Sequence, residues 1–574
     1  MKKLFFLSII TLLTLSACQR YNGGTLYYPI QTEEDGRWGM MSTSGEILFS
    51  DEFDKMPTVA LCDRFMVRNN DGLWEIYTAE EKPKQIGSEY LYVGRFVNGI
   101  APVTERNKYI TLINTEGEVV KTLDKIGGKT IAKMEDFNLD NGLAEIVTDD
   151  DLHGVINTKG DVVVKPIYGS ITVNDVFIFA VDKKEMEKER EMRKVAVLDL
   201  NGNVITTIDK QKRNIKAIYA SKEYIVAKTA DGYGILDKNG NWVLKPHEKY
   251  CEIISVQSGY FIFKKDKYGL RDLKGEVILR NKYDRLWFTE NKNRLIAERD
   301  DEYTLINLQG DQIGEDKYEG LWYLDEDHFV AQMNSSIIII LDANGKEIGD
   351  PNVDIYNINA SEHNYGYIES DYIDVGKLVS SIAITKDGVD GLTFSSSPSD
   401  VIKHKETVED YSHEQNYYRG DSYVSYDKDF GVKGADINIT MRFNGNVVQA
   451  VTEKEMRSYY NYYWYQDVVV GYEYTRAKPV SYSVKFKNTG KLNGKLDMIY
   501  DKLCSHASSQ GSVEKQTDNS IIVNTGGSNN MTVSKHDDFI MLENGNPNTF
   551  RYSLSDLDYY DVDSVAVDSV VAVE

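Results

Sequence analysis

The chain has 574 residues, with 66 Lys or Arg against 90 Asp or Glu and a formal net charge of −24 at pH 7. That imbalance repels nucleic acid and anionic membrane surfaces and argues against both as partners. Four cysteines without a pattern suggest neither a disulfide framework nor a zinc site, and the length asks for several domains.

The chain begins MKKLFFLSIITLLTLSACQR. Lys2 and Lys3 precede an apolar run from Leu4 to Leu15, too short to span a bilayer comfortably, and small residues lead into Cys18. The arrangement resembles the lipobox of bacterial lipoproteins. That resemblance implies a signal peptide over 1–17, cleavage before Cys18, and lipid on its amino end and sulfur; a plain secretory signal is the alternative. Several acyl chains on one residue anchor firmly where a single chain binds only marginally. Residues 18–34 then read as a tethered linker, in which GTLYYPI from Gly24 offers an outer strand to latch the next domain shut.

From 35 to 352 the sequence repeats. WGMMSTSGEILF from Trp38, HGVINTKGDVVV from His153, YGILDKNGNWVL from Tyr233 and YGLRDLKGEVIL from Tyr268 share an aromatic-type residue before Gly. A second Gly follows six residues after the first, and looser copies start at Trp74, Ile110, Val195, Tyr303 and Ile338. Across nine copies the turn position holds Gly45, Glu81, Gly117, Gly160, Gly202, Gly240, Gly275, Gly310 and Gly345. Three residues earlier stands Ser, Thr, Asn or Asp, and copies start every 35 to 43 residues, which marks an array.

Each copy predicts a hairpin: an apolar strand, an Asp or Asn bonding back into the turn, Gly at positive φ, and a β-branched returning strand. Aromatics Phe53, Tyr168, Tyr283 and Tyr318 follow eight residues past the turn Gly, and a third and fourth strand complete a small antiparallel sheet. The run Asp237-Lys238-Asn239-Gly240 also suggests part of a calcium loop. Its Gly comes too early, and apolar Trp242 and Leu244 fill later positions of the run. A turn is the better fit, so no metal or cofactor is expected.

The pattern resembles the WG-containing β-repeats of bacterial proteins, carried best by Trp38-Gly39, Tyr233-Gly234 and Tyr268-Gly269 with Phe53-Asp54, Tyr283-Asp284 and Tyr318-Glu319. The copies at Trp74 and Val195 lack the Trp-Gly pair. The resemblance implies an interaction array without assigned catalytic residues. Radial repetition gives a propeller and linear stacking a solenoid. The expected fold is mainly β, a propeller-like array of about nine antiparallel repeats, with an open β solenoid as the alternative because propellers typically have four to eight blades. DKKEMEKEREMRK from Asp182 reads as a charged loop extension with a helical turn at most.

Residues 353–375 read as a connector and 376–545 as an α+β domain whose halves suggest a duplication. GKLVSSIAITKDGVDGLTF predicts two short strands, and Ser397, Pro398 and Asp400 open a helix. Ile437, Ile439, Met441 and Phe443 alternate before the hairpin dipeptide Asn444-Gly445. Tyr482, Val484 and Phe486 alternate again, Leu492, Leu496, Ile499, Tyr500 and Leu503 share a helical face, and three short strands follow.

Between the halves, SYYNYYWYQDVVVGYEYTR places Tyr460, Tyr462 and Trp464 on one side of an extended segment. Such a strip stacks on sugars or anchors a protein. The plainer alternative, which the strand propensity of aromatics favours, is a hairpin extension or a sheet the domain itself covers. Residues 546–574 are acidic and read as a disordered tail.

No G-x-S-x-G, P-loop, H-E-x-x-H or dinucleotide fingerprint occurs. The expectation is a lipid-anchored cell-envelope binding or scaffold protein without catalytic residues. It would sit on the outer membrane facing the periplasm, with exposure at the cell surface as the alternative, and hold a protein or glycan partner. The alternative is an envelope hydrolase, or its accessory, with a site in the C-terminal domain.

Overall fold

Asp237 shows how the repeat folds. Its N–H donates to Asn241 O at 2.9 Å, Gly240 N–H donates to Asp237 O at 2.9 Å, and its Oδ1 accepts from Asn241 N–H at 2.8 Å. Asn114, Asn157, Asp199, Asp272, Asn307 and Asp342 repeat the carboxylate or amide contact, and Ser42 makes it through its hydroxyl. All eight predicted turn glycines have φ between +72° and +86°, the left-handed region that favours Gly. In the second module, where Glu81 stands, a longer turn runs from Thr78 to Lys84.

The Gly of the aromatic-Gly pair has a different cause. A Cβ on Gly39 would stand 2.3 Å from Phe49 O, and one on Gly269 2.7 Å from Leu279 O. The returning strand crosses directly over this glycine, and the ladder slips there. As a result Trp38 opposes Phe53, His153 opposes Tyr168, Tyr268 opposes Tyr283, and Tyr303 opposes Tyr318. The two aromatic positions of the repeat are therefore cross-strand partners.

The computed structural model describes residues 25–334, 337–349, 353–359, 367–406, 422–459, 462–526 and 529–545. Residues 1–24 with Cys18, residue Tyr460 and the acidic stretch 546–574 lie outside them. The chain divides into two bodies, Met1–Tyr372 and Ile373–Glu574.

In the first body each module is a small antiparallel sheet. The seventh, typical of most, runs Glu252–Gln257, Tyr260–Lys264, Tyr268–Asp272, Val277–Tyr283 in spatial order. The fourth and fifth share the long strand Val162–Val173, which pairs with His153–Asn157 through its first half and Ile178–Asp182 through its second. The insertion forms the helical turn Lys183–Met186 and a 3-10 turn, Arg190–Met192.

Successive modules dock through their turns. Gly160 lies against Lys121 and Leu123, Gly202 against Val163, Gly310 against Leu279 and Gly345 against Gly314, each on the outer strand of the preceding module. For the first module that neighbour is Gly349, at the end of the ninth. Tyr27–Gln31 also pairs with Asn357–Ile358, and Leu26, Tyr28 and Ile30 share a core with Leu324, Val330, Ile340 and Ile355. The array is a ring of nine modules, propeller-like rather than an open solenoid.

The latch differs from expectation. Tyr27–Gln31 is an interior strand, and the order in its sheet is Ile47–Phe53, Trp38–Ser42, Tyr27–Gln31, Asn357–Ile358. Buried Tyr28 and Ile30 require cover on both sides, which an outer strand lacks. The closing strand instead comes from the connector. A second piece, Tyr367–Glu369, pairs with Lys129–Glu135 of the fourth module and buries Ile368 completely.

The second body is built on one seven-stranded sheet. Its order is Tyr423–Asp427, Ile437–Phe443, Pro479–Lys487, Phe539–Gly545, Asn529–Lys535, Ser520–Gly526, Ser512–Thr517. Helix Leu496–Gln510 buries Leu496, Ile499, Tyr500, Leu503 and Ala507 against it, while Leu492 is buried from the preceding 3-10 turn. Helix Pro398–Glu406 starts as expected: Ser397 Oγ accepts from Asp400 N–H at 3.1 Å, and Asp400 Oδ2 accepts from Ser397 N–H at 2.8 Å.

The two short strands expected after Gly376 are present but follow an unexpected helix, and the expected hairpin at Asn444-Gly445 fails. Val375–Ser381 is a helix, capped by Asp374 through a 2.9 Å bond from Lys377 N–H and burying Val375, Leu378 and Val379 at helical spacing. The strands are confined to Gly388–Val389 and Leu392–Thr393. Asn444-Gly445 does not close a hairpin on Ile437–Phe443, which already pairs on both edges. Asn444 instead exchanges bonds with Lys478, where a separate hairpin of Val448–Tyr459 and Tyr462–Tyr474 leaves the sheet.

Candidate functional site

The first strands of successive modules converge on a cavity of about 540 Å³ in the first body. Its wall takes Ala220 and Ser221 from the sixth module, Ile254 to Gln257 from the seventh, Arg285 to Phe288 from the eighth and Tyr323 from the ninth. The loops after these strands supply Lys222, Thr289 and Glu290, and the fifth module adds Asn174 and Asp175.

These loops are tied to one another. Asn138 Nδ2 donates to Asp175 Oδ1 at 3.3 Å and Asn141 Nδ2 to Asn174 O at 2.8 Å. Lys222 Nζ lies 3.2 Å from Asp175 Oδ2 and 3.6 Å from Glu290 Oε1. Ser221 Oγ donates to Val256 O at 3.1 Å, Gln257 Nε2 to Thr289 O at 2.8 Å, and Asn291 Nδ2 to Asp327 Oδ1 at 3.4 Å. Each bond joins one module to another, so the wall is fixed before any ligand arrives. Burial opposes the charge on Lys222, but Glu290 and then Asp175 outweigh it and push its pKa up.

Trp287 gives the wall an aromatic face. It is 38% exposed, and its ring stacks on Tyr303 at 6.2 Å and 15°. Trp322 occupies the corresponding place in the next module and lies outside the cavity lining. Asn174 Nδ2 is buried without a hydrogen-bond partner.

A second polar cluster lies on the fourth module. His153 Nδ1 bonds Glu145, Tyr367 OH donates to Glu145 Oε2 at 3.2 Å, and Lys133 lies 4.5 Å over the Tyr367 ring. Burial, then the neighbouring Glu145 charge, pushes Glu135 up to about 7. This cluster fastens the connector to the ring.

In the second body Asp390 accepts from His404 Nε2 at 2.7 Å, Tyr426 OH at 2.9 Å and Lys428 Nζ at 2.9 Å. Burial first, then Asp390, drives the Tyr426 phenol far above its ordinary range. One carboxylate thus clamps a helix, a strand and the 388–393 turn.

Of the predicted site residues, Cys18 and Tyr460 lie outside the described residues. Tyr462 and Trp464 fall in Tyr462–Tyr474, opposite Tyr459 and Arg457. Gln449, Val451 to Lys454 and Met456 on the partner strand are exposed. The eight glycines form the turns. The cavity residues went unnoticed in the sequence, where the one available clue is Trp287 and Trp322, each twelve residues past a turn glycine. Among the described residues no cluster of three or more His, Cys, Asp or Glu is placed to hold a metal, and no helix is long and apolar enough to cross a membrane.

The model of the WG containing repeat matches residues 154–184 and 233–267. No curated protein matches the chain. Solved structures with similarity include a eukaryotic initiation factor, at 11% identity and TM-score 0.39, covering 58% of this chain and 98% of that one. AztD from Citrobacter koseri aligns at 12% identity and TM-score 0.29, covering 58% and 96%. BamB from Moraxella catarrhalis aligns at 13% identity and TM-score 0.25, covering 57% and 99%. The chain thus carries the WG containing repeat at these two places, in a propeller-like array whose other modules repeat the same turn and aromatic register.

Proposed function

We propose that the protein is a lipid-anchored binding or scaffold protein of the bacterial cell envelope, held on the outer membrane facing the periplasm, and that its ring holds a protein or glycan partner in the cavity. The observation that carries this is the wall itself. Asp175, Ser221, Lys222, Gln257 and Glu290 on it are engaged in bonds between modules, which leaves a rigid, preorganised surface with an exposed indole. Anchoring through Cys18 rests on the sequence around it.

The test is a photo-crosslinking residue at Tyr323 in the full-length chain, in cells. Specific envelope adducts at this position, and none from the outer strand position Val204, support the proposal. Turnover of a peptidoglycan fragment by the purified protein without any adduct at Tyr323 overturns it. Loss of membrane retention in Cys18→Ala tests the anchor separately.

A further inference from the structure

This inference rests on the cavity being a binding site, and concerns what enters it. We propose that it takes a neutral sugar unit of an oligosaccharide, stacked on Trp287. The chain as a whole is strongly acidic, yet the charged residues of the cavity wall cancel: Asp175 and Glu290 against Lys222 and Arg285. A cationic ligand would have to displace Lys222 from both of its carboxylates, which stand 3.2 and 3.6 Å away. An anionic ligand would meet those same carboxylates. A neutral polar ligand leaves the network intact.

The surface offered to it is amphipathic in the way a pyranose is. A sugar ring has a C–H face and a rim of hydroxyls. Trp287 presents an open indole whose plane is fixed by Tyr303 behind it, so little side-chain entropy is lost on stacking. Asn174, a residue of the wall, has a buried amide nitrogen without a hydrogen-bond partner. Ser255 and Gln257 add further polar groups on the same wall. The cavity volume is in the range of small-ligand sites.

The experiment is calorimetric titration of the full-length, detergent-solubilised protein with cellohexaose, chitohexaose and maltohexaose, and with hexalysine and polygalacturonate as charged probes. Binding of at least one neutral oligosaccharide is expected, weakened about tenfold or more in Trp287→Ala and unchanged in Trp322→Ala. Asn174→Ala should weaken it less. Binding of a charged probe alone, or equal loss in the two tryptophan variants, overturns the inference. If all three sugars fail while Tyr323 crosslinks to an envelope protein, the sugar assignment falls and the binding role stands. If both fail, the two fall together.

Discussion

A Cβ on Gly45 would stand 2.6 Å from the Cα of Gly349, so the first module's turn is seated directly on the end of the ninth. Gly240 makes a looser contact: its Cβ would meet nothing nearer than Thr206 Cγ2 at 3.4 Å. Both have positive φ, +84° and +78°.

Gly240→Ala should therefore cost about 1–2 kcal/mol, the left-handed penalty alone. Gly45→Ala carries that penalty and also pries at the closing joint, so it should lower the melting temperature more. Thermal unfolding of the two variants decides it. Equal losses would mean the joint contributes nothing to stability.

Asp237 uses its carboxylate within the turn, where Oδ1 accepts from Asn241 N–H. Melting should be indifferent to added calcium or to EDTA, while Asp237→Ala should cost about 1 kcal/mol. A calcium-dependent rise in melting temperature that disappears in Asp237→Ala would restore the metal.

Burial raises two neighbouring carboxyls, Glu135 to about 7 and Asp136 to about 6, the second despite Arg95 at 3.4 Å. A raised carboxyl binds its proton more tightly in the folded state. Its stabilisation is complete below the unfolded value near 4.5 for Glu135 and is lost as pH climbs through about 7. Glu135→Gln keeps the neutral form at every pH. It should exceed the parent by about 1–2 kcal/mol at pH 8, and the difference should vanish by pH 4. Urea denaturation at the two pH values measures this, and a constant offset would contradict it.

Asp390 holds three donors with a side chain only 9% exposed. Its removal leaves Lys428 and His404 without their carboxylate, so Asp390→Ala should cost about 3–5 kcal/mol. Asp390→Asn retains an acceptor and tolerates the positive φ of 51°, and should cost less. Unfolding of both variants at the parent's urea midpoint would show that the clamp bears no load.

The turns were legible because their chemistry is local: a side-chain acceptor, two residues, and a glycine. The glycine of the aromatic pair was legible only as a pattern. Its cause, the carbonyl of Phe49 or Leu279 passing overhead, requires knowing where the returning strand slips. The sequence points to Tyr27–Gln31 in the ring closure but not to its interior place or to the strand that covers it. Asn357–Ile358 is two residues long and has no period to read, and its partner lies at the opposite end of the array. The cavity hid for a related reason, since Asn174, Lys222, Gln257 and Glu290 are chemically unlike and come from different modules. The helix Val375–Ser381 is hard to read because its short apolar run fits a strand as well as a helix, and the signal that decides it is the single cap, Asp374.

The bond from Asn357 to Gln31 spans 326 positions. During translation, the N-terminal strand must wait until that distant segment leaves the ribosome, at about 5–20 residues per second roughly a quarter of a minute to a minute. Through that interval its edge is bare and its isoleucine and tyrosine lack a full cover, the condition under which nascent chains stick to one another. A chain that makes its final stitch with the last thread should need a holding chaperone while it is being made.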